Sequence, residues 1–195
     1  MSLFVYPLLI RKGRNTLEKK KRTFQELYDW TESIVCAIAA VVVLFTFVAR
    51  TSVVSGSSMN ETLQGGDMLV ISRLGKAPSQ GDIVVVTKPY SRGEPIIKRV
   101  IATGGQTVDI NFDRGVVFVD GEQLDESYVN TPTNVSYDVQ FPVTVPEGSV
   151  FCLGDNRNHS YDSRASEIGM IDERYVLGKV LWRIFPFHSI GNPDQ

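Results

Sequence analysis

Between Glu32 and Arg50 lie seventeen uncharged, mostly apolar residues, Ser33 to Ala49. At about 1.5 Å per helical residue that run covers about 25 Å, short but sufficient for one bilayer crossing. Tyr28 and Trp30 on one side and Arg50 on the other suit the two interfaces, where amphipathic rings sit and long basic side chains snorkel. Beyond Arg50 the single apolar block gives way to short runs rich in β-branched residues: Met68–Leu74, Ile83–Val86, Ile96–Ile101, Val116–Val119, Val150–Leu153 and Val176–Phe185. Gly65-Gly66-Asp67, Gly81-Asp82, Gly104-Gly105, Asp120-Gly121 and Pro146-Glu147-Gly148 punctuate them. Asp120-Gly121, between Val117-Phe118-Val119 and Glu122-Gln123-Leu124, predicts a type I′ hairpin. The stretch Asp125–Asp138 predicts a longer exposed loop, and no amphipathic helix of convincing length follows the apolar block. The pattern therefore predicts a basic tail (1–32), one transmembrane helix (33–50) and a mainly β domain (51–195).

Charge sets the orientation. Arg11, Lys12, Arg14, Lys19, Lys20, Lys21 and Arg22 face a single acid, Glu18, within 11–22, so the positive-inside rule puts that end in the cytoplasm. Residues 33–195 hold 13 basic and 18 acidic side chains, which leaves no basic stripe to grip nucleic acid. A cleavable signal peptide is the rival reading of the apolar run, opposed by its long charged lead and by Phe47-Val48-Ala49, which puts a bulky ring at the exit. The patch Leu3–Ile10 is too brief to span and is expected to be disordered or to lie on the inner membrane surface. The part beyond the span is one domain's worth of chain. Cys36 and Cys152 fall on either side of the bilayer boundary, so no disulfide is expected and Cys152 reads as a small buried hydrophobe.

Ser58 and Lys98 carry the candidate chemistry. On a strand, Ile96, Lys98 and Val100 share one face while Ile97, Arg99 and Ile101 share the other, so one of the two cations must turn toward apolar surroundings. Only lysine profits: burial lowers an amine's pKa and a neutral amine accepts a proton, whereas a guanidinium stays charged. The alternative is that Lys98 snorkels from an edge strand to water. Ser58 ends the side-chain-poor run Ser55-Gly56-Ser57-Ser58, which leaves its hydroxyl accessible and its N–H free to point at a developing oxyanion; an ordinary turn after an anchor is the bland alternative. The chain from Ala49 to Ser58 reaches at most about 30 Å, which keeps this serine near the membrane.

A third block, Gly154-Asp155-Asn156-Arg157-Asn158-His159-Ser160-Tyr161-Asp162-Ser163-Arg164, is dense in mutually bonding polar groups. Calcium ligation fails there because Arg157 stands where an EF-hand needs an acceptor. In this block Ser160 is suited to orient a lysine amine, and Asp162 with Arg164 to form an ion pair. His159 with Asp162 raises a Ser-His-Asp triad as an alternative, one that would leave Lys98 without a role. With only His159 and His188, no ligand-spaced metal cluster is read, nor any phosphate-binding loop, so neither cofactor nor nucleotide is implied.

Ser58-Met59 with Thr62-Leu63, then Lys98-Arg99-Val100-Ile101, then Gly154 to Arg157 running on to Ser160, Asp162, Ser163 and Arg164, all behind one anchor, resemble bacterial type I signal peptidase. The resemblance covers the chain from the anchor to about Trp182. It implies an extracytoplasmic β-rich peptidase domain that removes signal peptides from secretory preproteins, with Ser58 as nucleophile and Lys98 as general base. It further implies that Ser160 positions Lys98, and that Asp155, Asp162 and Arg164 support the site. Family members hold substrate as an extended strand beside segments that correspond to about Ser52–Ser57 and Glu94–Lys98, so Ser55, Gly56, Ser57, Met59 and Ile96 are the expected substrate contacts, with small residues such as Ala favoured at the first and third positions before the cut. Two departures stand out: Glu61 where many relatives have proline, and Gly56 where some carry an oxyanion-donating serine. A self-cleaving repressor of the Ser-Lys type is the competing enzyme class, lacking here its DNA-binding helix-turn-helix; an inactive membrane-anchored β module is the non-enzyme alternative.

Overall fold

The computed structural model describes residues 5–47, 49–72, 77–87 and 94–193. Contacts divide the chain into two units, 1–47 and 48–195. The first is one helix, α1 (Val5–Phe47), continuous through the stretch expected to be a separate tail. Leu3 and Phe4 of the expected apolar patch lie outside the described residues, and Val5 to Ile10 are helical rather than disordered. Among the described residues no helix is long and apolar enough to cross a membrane. The expected span ends across Val48, which lies outside them.

The second unit is built from strands. β1 (Ala49–Val53), β2 (Met68–Ser72), β3 (Ile83–Val86), β4 (Ile96–Thr103), β9 (Ser149–Leu153), β10 (Ile171–Asp172) and β11 (Val176–Phe185) form an antiparallel sheet in the order β1-β2-β11-β3-β4-β9-β10. β5 (Thr107–Asn111), β6 (Val116–Val119), β7 (Glu122–Gln123) and β8 (Val143–Thr144) form a second one, ordered β7-β6-β5-β8. Beyond α1 the described helical pieces are short 3-10 turns only. Arg73 and Leu74, expected to extend β2, lie outside the described residues.

Strand β3 shows why the sheet buries both faces. Its four residues are all apolar and buried; Ile83 and Val85 enter one core with Val54, Met59 and Leu63, while Val84 and Val86 enter another with Val100, Cys152 and Ile171. A strand that alternates into two cores must be apolar throughout, hence Ile-Val-Val-Val. A third core, with Ile101, Phe151, Val108, Ile110 and Val117, fills the space between the sheets. There Phe141 packs edge-on against Phe112 and Phe151 at centroid separations of 5.8 and 5.9 Å.

The expected hairpin forms between β6 and β7. Asp120 (φ 54°) and Gly121 (φ 84°) both adopt the left-handed backbone that a type I′ turn demands. The segment 125–138 is irregular as expected, but not wholly exposed: Thr133 is fully buried. Met59 and Leu63, both inside the first core, pin the turn that follows Ser58 to the barrel of side chains beneath it. Leu63→Ala is accordingly expected to cost about 2 to 5 kcal/mol, seen in equilibrium denaturation as a lower midpoint at unchanged slope.

Candidate active site

Strand β4 presents its two cations to opposite faces, and both are buried, at 3% exposure each. Arg99, to which the strand pattern gave no partner, is buried against polar groups: its Nε and Nη2 donate to Asp155 Oδ1 and Oδ2 (2.9 and 2.8 Å), its Nη1 to Gly81 O (2.9 Å), and its guanidinium lies 4.0 Å from the centroid of the Tyr128 ring. A bidentate carboxylate partner is what a buried guanidinium requires. Lys98 has no such pairing. Its Nζ donates to Ser58 Oγ at 2.7 Å. Burial holds the amine below its ordinary value of 10.5, opposed by the nearby Asp162 carboxylate.

That opposition is blunted by Arg164. Its Nε and Nη2 donate to the two oxygens of Asp162 (2.8 and 2.9 Å), and Gly154 N donates to Asp162 Oδ2 (3.1 Å), so the carboxylate that most favours the charged amine already has a cation of its own. Cys152, also beside the amine, has its thiol pushed far up by burial and stays neutral. Arg164 reaches further: Nη2 donates to Arg157 O and Ser160 O (2.5 and 3.1 Å), Nη1 to Val135 O (2.7 Å). Arg157, fully buried, donates to Gly154 O (3.1 Å) and Thr133 Oγ1 (2.8 Å) and pairs with Glu126 (2.5 Å). Asn158 and Tyr137 add further bonds between the irregular segment and this block, and Asp138 accepts from Ser166 N just beyond it.

The nucleophile candidate is gripped through its backbone. Asn156 N donates to Ser58 O and Asn156 Nδ2 to Ser57 O, each at 3.0 Å, while Asn60 N donates to Ser57 O (3.1 Å). Thr62 Oγ1 donates to Asp155 Oδ2 (2.7 Å), which ties the same turn to Arg99 and hence to β4. Gly154 permits this approach: a Cβ on it would overlap Ser160 Oγ and the Ser58 carbonyl oxygen and meet Ser160 Cβ at 2.6 Å. The Ser58 N–H makes no hydrogen bond among the described residues. The sequence pattern assigns no role to Asn156, Thr62 or Gly154; its one signal for them is a side-chain-free residue before two polar ones, Gly154-Asp155-Asn156.

The bond expected from Ser160 to the lysine amine is not formed. Ser160 is buried and its Oγ has no hydrogen-bond partner, held instead against Gly154. His159 is exposed and bonds Asn156 Oδ1 through Nδ1 (3.3 Å), while Asp162 is committed to Arg164 and Gly154, so these two form no triad with Ser58. A cleft of about 90 Å³ ends at the Ser58–Lys98 pair, lined by Val53, Val54, Ser55, Gly56, Met59, Pro95, Ile96 and Ile97. Four of the five expected substrate contacts are thus on its wall; Ser57 lies beside it, its carbonyl turned to Asn156 and Asn60. On one side β4 pairs with β3 from Ile96 to Arg99; on the other its register with β9 begins only at Arg99, which leaves the Ile96–Lys98 edge without a partner strand among the described residues.

Residues 27–185 match the family model described as signal peptidase, peptidase S26. A probable signal peptidase I-1 of Synechocystis sp. is 37% identical over 168 residues, 81% of this chain and 82% of that protein. Signal peptidase I of Bacillus licheniformis is 30% identical over 189 residues, 92% of this chain and 100% of its own length. A solved signal peptidase I from Enterococcus faecalis is 30% identical, with a TM-score of 0.44 over 53% of this chain and 97% of that one. With a family match running through β1 to β11 and relatives aligned over most of their lengths, the chain belongs to the signal peptidase family, peptidase S26.

Proposed function

We propose that this chain is a membrane-bound serine endopeptidase that removes N-terminal signal peptides from exported preproteins after small residues, with Ser58 as nucleophile and Lys98 as general base. The observation that carries the reading is an amine kept below its ordinary pKa by burial, 2.7 Å from a serine hydroxyl at the end of an apolar cleft. Protonated, Lys98 donates to Ser58 Oγ; once neutral, its lone pair faces the same oxygen and takes the hydroxyl proton as Oγ attacks the scissile carbonyl. The proton then passes to the leaving amine. A water deprotonated by the same nitrogen attacks the acyl-enzyme and regenerates Ser58. The unengaged Ser58 N–H is the oxyanion donor favoured by this arrangement.

Substrate enters as an extended strand along the open Ile96–Lys98 edge, where main-chain bonds supply affinity and side-chain pockets supply choice. A 90 Å³ cleft walled by Val53, Met59 and Ile96 accepts a methyl group and rejects a long side chain. Asp155, Asp162 and Arg164 act by fixing the block that grips Ser58, and Arg164 also offsets the Asp162 charge that favours a protonated Lys98. The bilayer holds the apolar part of α1 from Ser33 on, whose Ile34, Val35, Ile38, Val41, Val42 and Val43 are each more than half exposed in the isolated chain, with the basic 11–22 stretch inside and the β unit on the outer face.

In a precursor-cleavage assay Lys98→Arg, although it keeps the charge, is expected to lose activity as completely as Ser58→Ala, by at least about 100-fold, because a guanidinium is no base; substantial turnover by Lys98→Arg sinks the assignment. Activity should also rise with pH and level off below the ordinary lysine value, since the lowered pKa enlarges the neutral fraction at every pH beneath it. A pH–rate profile that stays flat from neutral to strongly alkaline contradicts this. Gly154→Ala should depress turnover with a smaller effect on KM, measured in the same assay, because the added methyl pushes Ser58 and Ser160 apart.

A further inference from the structure

The loop that carries Ser58 closes on itself. Val54 N donates to Asp67 O (2.9 Å) and Gly66 N to Val54 O (2.8 Å), so residues 54–67 leave and return at one point. Within it Leu63 N donates to Met59 O (2.9 Å), a single turn that begins directly after Ser58 and ends past Thr62. How this turn sits decides where Ser58 Oγ points. Asn156 holds its front and Asp155, through the Thr62 hydroxyl, one flank. The other flank is held by Arg183 of β11.

Arg183 Nη1 donates to Thr62 O and to Asp67 Oδ2, both at 3.1 Å, and Nε donates to Ser189 O (2.8 Å). Its backbone exchanges hydrogen bonds with Gly191 (2.8 and 3.1 Å) and is in register with Leu69 of β2, so the guanidinium projects from a fixed point. Asp67, 5% exposed, also accepts from Gln64 N through Oδ2 (3.0 Å); a carboxylate this buried needs a cation. One side chain thus joins the end of the loop, its middle and the chain after β11.

We propose that Arg183 is a positioning residue for Ser58: by holding the Thr62 carbonyl and the Asp67 carboxylate together it keeps the serine oxygen within reach of the Lys98 amine. This rests on the reading of Ser58 as nucleophile. A planar guanidinium presents several donors in fixed directions, whereas an ammonium is a point charge on a flexible stem. Lysine at this position satisfies Asp67 but does not span Thr62 and Ser189 as well, so stability and turnover should part company.

The test compares the full chain with Arg183→Lys, Arg183→Met and Ser58→Ala, measuring kcat, KM, the pH profile and the thermal midpoint. For Arg183→Lys the expected result is a kcat lower by about 10- to 100-fold, with KM changed by less than about threefold, an unmoved pH profile and a thermal midpoint close to the parent's. Arg183→Met should add a clear loss of thermal stability. A kcat for Arg183→Lys within about twofold of the parent overturns the proposal, as does a loss that only follows the folded fraction, or a shift in the pH profile, which would move the effect to Lys98. If Arg183→Met fails to fold, the Arg183→Lys result alone decides. Cleavage that survives Ser58→Ala refutes the nucleophile assignment itself, and Arg183 positioning with it.

Discussion

An amine buried without a counter-ion of its own is the constraint around which this fold is arranged. Lys98 keeps a depressed pKa only while nearby negative charge is spoken for. Two carboxylates approach it, Asp162 and Asp155, and each is held by a buried arginine, Arg164 and Arg99. The third neighbour, Cys152, is a thiol that does not ionise. Removing either arginine would strand a buried carboxylate, whose readiest remaining cation is the lysine, and the amine would then hold its proton more tightly.

The same side chains also position the serine. Asp155 takes Arg99 on both oxygens and Thr62 on one of them, so the carboxylate that Arg99 occupies also anchors the turn behind Ser58. Arg164 and Arg157 bind carbonyls of the block that grips Ser58 and reach outward to Val135, Thr133 and Glu126. Electrostatics and geometry are therefore coupled through a few arginines, and the irregular segment 125–138 is the outer support of both.

Much of this was legible along the chain because the chemistry is local. Ile83–Val86, Val116–Val119 and Val176–Phe185 appear as strands with the bounds their apolar runs predict, and Asp120-Gly121 turns as its φ requirements dictate. Thr107–Asn111 escaped notice, having only two apolar residues, although both are buried and their polar neighbours are not, a half-buried alternation. Ala49–Val53 was masked by its place at the end of the apolar block, where Arg50 reads as an interface anchor rather than a strand residue. The burial of Arg99 is not legible locally, because its partner Asp155 lies 56 residues away and no local pattern announces such a pair. The Ser160 hydroxyl, expected to bond the amine, instead has no hydrogen-bond partner and packs against Gly154, a close approach that no local pattern announces.

The vacant margin of β4 has a cost as well as a use. Among the described residues no strand pairs with the outer edge of Ile96–Lys98, and an open strand edge is a template for pairing with any extended peptide, including the same strand of another copy. Just ahead of Ile96 stand Pro95, which has no N–H to offer, and the exposed acid Glu94, a combination that shortens the inviting stretch to three residues and sets like charges against each other when two copies meet.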